Sequence, residues 1–359
     1  MQPRIKDIAD YLGVSTATVS MVLNNRPGFS ESTRARVAEA VKILGYQGST
    51  TKRLAAEPLN HLPFVIYRRH GEVIGETAFF SSLIESIENE AKNNGYDLSV
   101  HYLSAKDPGL SESFRLIAAK SHVGLLVLGT EMDQSDAAPL LRAGVPFVLM
   151  DNAMPGLSCN KILMDNLQGA FLAVRHLWSA GHRRIGHLHS NIWISNFEER
   201  ELGYRYALRK HGLPLREDWI PRIGSTPQSA YRDMCAYLDQ TQIRDLPTAF
   251  FADNDIIAAG AIRALKERGL RIPKDLSVVG FDDTPYCTML SPNLSTMRVN
   301  TKGLGSGAVQ LLLNGQEDFR KILMETELVS RESVRVLDPK EEQEEQKQKE
   351  EQKQNKKSS

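Results

Sequence analysis

The chain has 359 residues, 41% hydrophobic and 25% charged, a globular composition too long for one ordinary core, so at least two domains are expected. Its 44 Lys and Arg balance 44 Asp and Glu, which excludes a strongly basic or acidic protein as a whole. The longest apolar runs, such as VGLLVLG at 123–129, are strand-sized and too short to span a membrane. The stretch MQPRIKDIAD has no apolar h-region, so no secretory signal is expected.

In chain order, Ile5, Ile8, Ala9 and Leu12 fall at helical spacing and predict a helix over about 5–12. Gly13 suits a tight turn, Val14 plugs it, and Ser15 is a good N-cap for a second helix over about 16–23, with Val19, Val22 and Leu23 inward. Ser30 caps a third helix over about 31–44, with Val37, Ala40, Val41 and Leu44 on one face. Residues 47–60 have little apolar pattern and read as a linker. From Leu62 to about Val336 apolar strands (63–67, 97–103, 123–129, 146–150, 184–189, 248–253 and 276–283) alternate with amphipathic helices such as 79–94. That alternation predicts doubly wound parallel sheets, long enough for two subdomains. The tail, 338–359, carries seven acids and six lysines and can bury nothing, so it is expected to be disordered and to form no zipper.

Charge is unevenly spread. Residues 1–54 carry eight Lys and Arg against four acids, a balance of +4, which points to a polyanion partner for that end alone. The second helix explains itself in the same terms. Ser, Thr, Val and Gly are mediocre to poor helix formers. Yet short hydroxyls let a backbone approach DNA closely, and Ala or a Thr methyl can touch a thymine methyl. The plain alternative is the solvated face of a small helical bundle. Cys159, Cys235 and Cys287 are far apart and read as reduced core thiols of a cytoplasmic protein.

IKDIADYLGVSTATVSMVLNN resembles the DNA-binding headpiece of the LacI/GalR family of bacterial transcription regulators, and STRARVAEAVKILGYQ its third helix and the Tyr entering its hinge. FADNDIIAAGAIRALKERGLRIPKDLSVVGFDD at 251–283 and LVSRES at 328–333 resemble the same family's core, so the likeness covers about residues 4–337. It implies an N-terminal all-α helix-turn-helix headpiece followed by an α/β periplasmic-binding-protein-like core of two doubly wound parallel-sheet subdomains. The chain would cross between them near 161–164, 291–295 and 325–328. The divisions expected are 1–46 for the DNA-binding domain, 47–60 for the hinge, 61–162 with 293–326 for the N-subdomain, 163–292 with 327–337 for the C-subdomain, and 338–359 for the tail.

Position by position, the resemblance places Thr16, Ala17 and Met21 at base-reading positions. It places Ser15, Thr18, Ser20, Asn24, Ser30, Thr33 and Tyr46 where the family contacts phosphate or packs on the backbone. Met21 departs from the Arg many members use to bond guanine. The hinge reads Tyr46-Gln47-Gly48-Ser49-Thr50-Thr51-Lys52-Arg53-Leu54 and lacks the usual Pro. Leu54 is the candidate minor-groove wedge. The bland reading is a flexible linker whose Lys52 and Arg53 touch phosphates. The resemblance also implies a homodimer on a pseudo-palindromic operator.

In doubly wound sheets ligands bind beyond the carboxyl ends of strands. Asp151, Asn254 and Asp282 follow apolar strands, and Arg200 falls in the first turn of a helix. Carboxylates accept from hydroxyls and Arg donates in a fork, which suits a polyhydroxylated ligand. Each acid could instead be a cap or turn residue; the resemblance implies that all four contact an effector. Trp193, Phe197 and Tyr286 are aromatic candidates for a sugar face, and Phe79 aligns with a cleft-lining position. His187 and His189 alternate on one strand as a metal pair could, but no third ligand is evident, so no metal is expected. GLGSGA at 303–308 is not a phosphate loop by spacing, and no cofactor or catalytic constellation is expected. The reading is a ligand-responsive repressor of carbohydrate-use genes and not an enzyme. Its rivals are a transporter-feeding sugar-binding protein, a nucleotide-dependent enzyme and a regulator answering to a protein partner.

Overall fold

The structure, a computed structural model, describes residues 4–23, 30–44, 46, 60–74, 78–315 and 318–337. Asn24, Leu54, Lys52, Arg53, the hinge over 47–59 and the charged tail lie outside the described residues. The chain forms two compact units, one holding the three N-terminal helices and the other holding two sheets.

In the first unit α1 (Ile5–Leu12), α2 (Thr16–Leu23) and α3 (Glu31–Leu44) enclose a small core of Ile8, Ala9, Val19, Val22, Leu23, Val37 and Ala40. Gly13 sits at φ 65° between α1 and α2, a conformation that costs glycine little. Ser15 caps α2, its Oγ accepting from Thr18 N at 3.0 Å, and Ser30 Oγ accepts from Thr33 N at 3.3 Å at the head of α3.

The second unit carries β1 (His61–Arg68), α4 (Ala78–Asn93), β2 (Asp97–Ser104), α5 (Leu110–Ala118), β3 (Leu125–Leu128), α6 (Ala137–Leu141), β4 (Phe147–Met150) and β5 (Asn160–Met164). Then follow α7 (Asn166–Ser179), β6 (Ile185–Ser190), α8 (Ser195–Lys210), β7 (Arg222–Ile223), α9 (Pro227–Gln240), β8 (Ala249–Ala252), α10 (Asp255–Glu267) and β9 (Ser277–Asp282). Last come α11 (Tyr286–Met289), β10 (Ser295–Val299), α12 (Thr301–Leu313), β11 (Lys321–Met324) and β12 (Thr326–Val329). The first sheet has the order β11-β5-β4-β3-β1-β2, the second β12-β10-β9-β8-β6-β7. Parallel register runs through β1, β3, β4, β5 and β11, and through β7, β6, β8, β9 and β10. Only β12 in the stated registers is antiparallel, Thr296 opposite Val329. Strands such as β3 and β8 are buried along their whole length, which is why they read as unbroken apolar runs.

The chain passes from the first sheet to the second at Asp165, returns at Asn300 and leaves again at Glu325. The second passage differs from the expected 291–295: Ser295–Val299 is β10 of the second sheet, and the N-subdomain's second piece does not begin at 293. The reason is that β10 pairs in parallel with β9 before the turn. Both long-helix passages are capped. Asp165 accepts from Gln168 N at 3.0 Å, and Asn300 from Gly303 N at 2.8 Å. Close helix contacts need glycine at several places, two of them between long neighbouring helices. A Cβ on Gly305 of α12 would lie 2.6 Å from Ser86 Oγ of α4, and one on Gly203 of α8 would lie 2.3 Å from Leu167 O of α7. The cysteines are free; Cys159 and Cys287 are buried, but Cys235 is only half-buried. Among the described residues no helix is long and apolar enough to cross a membrane.

Candidate ligand cleft and nucleic-acid interface

A cleft opens at the carboxyl ends of strands from both sheets. Asp151, directly after β4, Asp282, the last residue of β9, and Asn254, two residues beyond β8, all line it, with Arg200, Phe79 and Phe197. Trp193 and Tyr286 do not. Trp193 is 54% exposed ahead of α8, and Tyr286 is 40% exposed on α11. The sequence placed them near the cleft because they flank its residues in the chain, but the loop before α8 leaves Trp193 exposed and α11 leaves Tyr286 exposed. Arg200 lies in the second turn of α8, not the first, since the helix starts at Ser195.

The carboxylates are held in place. Asp151 and Asp282 both adopt positive φ, 61° and 105°, which is uncommon for a residue with a Cβ and recurs at binding sites. Thr130 Oγ1 donates to Asp151 Oδ2 at 2.6 Å, and Asn196 Nδ2, at the start of α8, donates to Asp151 Oδ1 at 2.8 Å. Asn196 therefore links the first sheet's face of the cleft to the second's. Burial pushes the Asp151 carboxyl up to about 6 against these donors. Asp282 is pushed up to about 7, by burial first, opposed by Arg200 and aided by Asp255 and Asp151.

Arg200 is buried and fully engaged. Its Nε donates to Asn166 Oδ1 at 2.9 Å, its Nη1 to the Asp253 carbonyl, and its Nη2 to Asp282 Oδ1 at 3.2 Å and Met164 Sδ at 3.1 Å. The guanidinium stacks 3.7 Å from the Phe281 ring centre. Asn254 caps α10, accepting from Ile257 N at 2.9 Å. Its cap role and its place in the cleft coexist, because a helix N-terminus faces the opening. Asp283 points elsewhere, paired with Arg298 and Arg331 at 2.7 and 2.6 Å.

Several residues here were not legible in the sequence. Thr130, Asn196, Phe80 and Thr284 line the cleft. Buried Asp255 accepts from Thr284 N at 2.7 Å and Thr296 Oγ1 at 2.6 Å, and burial pushes it up to about 6. Glu131 accepts from the backbone N–H groups of Arg69, His70, Gly71, Val73 and Ile74 at 2.8–3.1 Å. One carboxylate thus fixes the loop that brings Val73 to the cleft wall. Burial would raise its pKa, but those amides and His70 hold it below the usual carboxylate value. None of these carries a local signal, since each partner lies on a separate segment. The expectation that no third donor accompanies His187 and His189 also fails: Asp253 lies against both rings. Asp253 follows β8, which pairs with β6 in the sheet but lies more than sixty residues away along the chain.

In the three-helix unit the outer face of α2 presents Thr16 and Ala17, both exposed, and Met21, 43% exposed, with Thr18 and Ser20 partly covered. Ser15 and Ser30 are exposed at the two caps, Thr33 is half-buried, and Tyr46 packs against the small core. A short helix with a close-approach face of hydroxyls and small side chains, backed by a second helix across a Gly turn, is the geometry of a helix-turn-helix.

Residues 4–49 match the family model for bacterial regulatory proteins, lacI family, and residues 174–334 match the periplasmic binding protein-like domain. The chain is 33% identical over 336 residues to the HTH-type transcriptional repressor PurR of Photorhabdus laumondii, covering 92% of this chain and 96% of that one. The chain belongs to the lacI family of bacterial regulatory proteins. Against the PurR of Yersinia pestis the identity is 34%, with the same coverage. Among solved structures, the lac repressor dimer bound to operator and the anti-inducer ONPF shares 26% identity at a TM-score of 0.68, covering 93% of this chain and all of that one. A transcriptional regulator CelR–cellobiose complex shares 26% at 0.67, covering 92% of this chain. As a lacI-family member the protein is a DNA-binding transcriptional repressor with a small-molecule-binding core, and not an enzyme.

Proposed function

We propose that this repressor reads a carbohydrate or close derivative in the cleft and transmits its presence to operator DNA. The observation that carries this is the donor set. Asp151 from the first sheet and Asp282 from the second face one opening, beside Asn196, Asn254 and Arg200. Carboxylates and amides in that number fit a ligand with many hydroxyls, while Phe79, Phe80 and Phe197 cover an apolar sugar face. The CelR structure with cellobiose supports the same ligand class.

The subdomains are the first sheet with α4, α5, α6 and α12, and the second with α7 to α11; the effector acts by preferring one arrangement of the two. It shifts operator affinity only by as much as its affinity differs between them. Two copies of the chain form a cytoplasmic homodimer on a pseudo-palindromic operator. Thr16, Ala17 and Met21 read bases; Ser15, Thr18, Ser20, Asn24, Ser30, Thr33 and Tyr46 anchor the helices on phosphate; Leu54 enters the minor groove.

The test has two arms on the purified full-length protein. Selection from a random DNA pool at fixed salt gives a two-fold symmetric site with a central preference. Half-sites without central preference remove Leu54 from the proposal. Thermal melts and operator binding are then followed against a panel of mono- and disaccharides and nucleobases. A sugar that raises Tm and changes operator affinity upholds the reading; a response to flat heteroaromatic bases alone overturns it, since the Phe walls would then be stacking surfaces.

A further inference from the structure

His187 and His189 alternate along β6 and point to the same face. Asp253 follows β8, which lies beside β6 in parallel register. His187 Nε2 lies 2.7 Å from Asp253 Oδ1, and His189 Nδ1 lies 2.6 Å from Asp253 Oδ2. Ser190 N donates to Oδ2 at 2.7 Å. On the far side of the His189 ring, Nε2 lies 3.1 Å from Glu201 Oε2 of α8, and Glu201 is held by Arg205 at 2.7 Å. All three inner residues are buried. Ligating atoms of His187, His189 and Asp253 lie within 4.8 Å of one another.

We propose that His187 Nε2, His189 Nδ1 and the Asp253 carboxylate bind one divalent transition-metal ion of the zinc class, with Glu201 as the outer partner of His189. Two imidazoles and a carboxylate are a borderline donor set that selects zinc, cobalt or nickel over magnesium and calcium. Two histidines two apart on a strand, with an acid from the neighbouring strand, present three converging ligands without a loop rearrangement. Metal–ligand bonds of about 2.0–2.2 Å put tetrahedral ligand atoms about 3.3 Å apart. The ring nitrogens therefore move about 0.6 Å away from the Asp253 oxygens to admit the ion. On His189 the outer partner is already in place, its non-ligating Nε2 lying against Glu201 as in a carboxylate–histidine–metal arrangement; among the described residues His187 Nδ1 has no such partner.

The proton balance is simple. With Nδ1–H on Asp253 and Nε2–H on Glu201, His189 carries two protons. The ion displaces the Nδ1 proton to solvent and leaves the Nε2–H in place. On His187 the proton passes from Nε2 to Nδ1, an atom with no hydrogen-bond partner among the described residues. Two neutral imidazoles and the carboxylates of Asp253 and Glu201 then balance the dication. The ion sits one peptide from the cleft. Asp253 accepts from Arg200 through its carbonyl, and Asn254 is the next residue. Metal loading therefore stiffens the β6–β8 pair, after which Asp253 and the cleft residue Asn254 follow.

The experiment uses chelator-treated full-length protein. Titration with Co²⁺ gives visible d–d absorption that saturates at one equivalent per chain and is displaced by one equivalent of Zn²⁺, and Zn²⁺ raises Tm. His189→Gln and Asp253→Asn each weaken Co²⁺ affinity more than about 100-fold, and Glu201→Gln weakens it about 10–100-fold. Absence of stoichiometric Co²⁺ absorption together with an unchanged Tm in Zn²⁺ overturns the proposal and leaves a hydrogen-bonded cluster. A near-ultraviolet thiolate charge-transfer band retained in Asp253→Asn overturns it too, by placing the metal on cysteine. The wild-type titration decides the question even where a variant fails to fold.

Discussion

Arg200 is the residue whose loss discriminates most sharply between a cleft held by charge and one held by shape. Arg200→Ala removes donors from Asn166 Oδ1, the Asp253 carbonyl and Asp282 Oδ1, all in buried surroundings. Stranded buried acceptors cost about 1–3 kcal/mol each, and breaking a buried charged pair from one side costs about 3–5 kcal/mol. Asp282 limits the charge part. Its side chain is 18% exposed to the cleft and its carboxyl is pushed up to about 7, so near pH 6 it stays protonated and needs no counter-charge. The loss at pH 6 is then that of the three hydrogen bonds and the space left behind, at least about 3 kcal/mol. At pH 8 the wild-type carboxylate is ionised beside Arg200, whereas in the variant it stands against Asp151 and Asp255 alone. That adds about 1–2 kcal/mol, one pKa unit being about 1.4 kcal/mol. Urea unfolding at pH 6 and 8, at equal ionic strength and protein concentration, measures both. A loss below about 1 kcal/mol, or an equal loss at the two pH values, refutes the electrostatic account.

Asp282 itself sets a pH dependence. Its folded pKa of about 7 lies above the ordinary carboxyl value, so the native state binds the extra proton. The stability it contributes is complete below about pH 4 and is lost as pH rises through about 7. Asp151 and Asp255, both raised to about 6, act in the same direction. Asp282→Asn keeps the shape and flattens the decline of Tm between pH 5 and 8; an unaltered slope would show that other groups cause it. Gly203→Ala forces a Cβ to within 2.3 Å of Leu167 O and lowers stability by about 1–3 kcal/mol in thermal melts. A neutral outcome there would mean that α7 and α8 can separate freely. Met21→Arg gives the headpiece a fork for guanine O6 and N7, so a random DNA pool should yield a new guanine worth about 1–3 kcal/mol of discrimination. Unchanged half-sites would place Met21 away from the bases.

What the sequence determined by itself is whatever neighbouring residues encode. The 3.6-residue spacing of Val37, Ala40, Val41 and Leu44 marks α3, Gly13 and Ser15 mark the turn and cap between α1 and α2, and the wholly apolar runs at 125–128 and 249–252 mark β3 and β8. Asp151, Asn254 and Asp282 were legible as cleft residues because a parallel strand ends where a ligand can sit. Beyond that reach, only the tertiary structure decided. β10 joined the second sheet through pairing with β9, and edge strands β11 and β12, with half-exposed, unremarkable sequences, took their places by register. Trp193, in the loop before α8, and Tyr286, on α11, came to lie exposed although chain neighbours of each line the cleft. Asn196 met Asp151 across 45 residues of chain, Glu131 gathered a loop some 60 residues before it, and Asp253 slid between two histidines more than 60 residues upstream. Single polar side chains have no periodicity to betray them; they acquire a role when strand pairing and helix packing bring distant segments within hydrogen-bond distance, where low dielectric makes an unmatched partner costly.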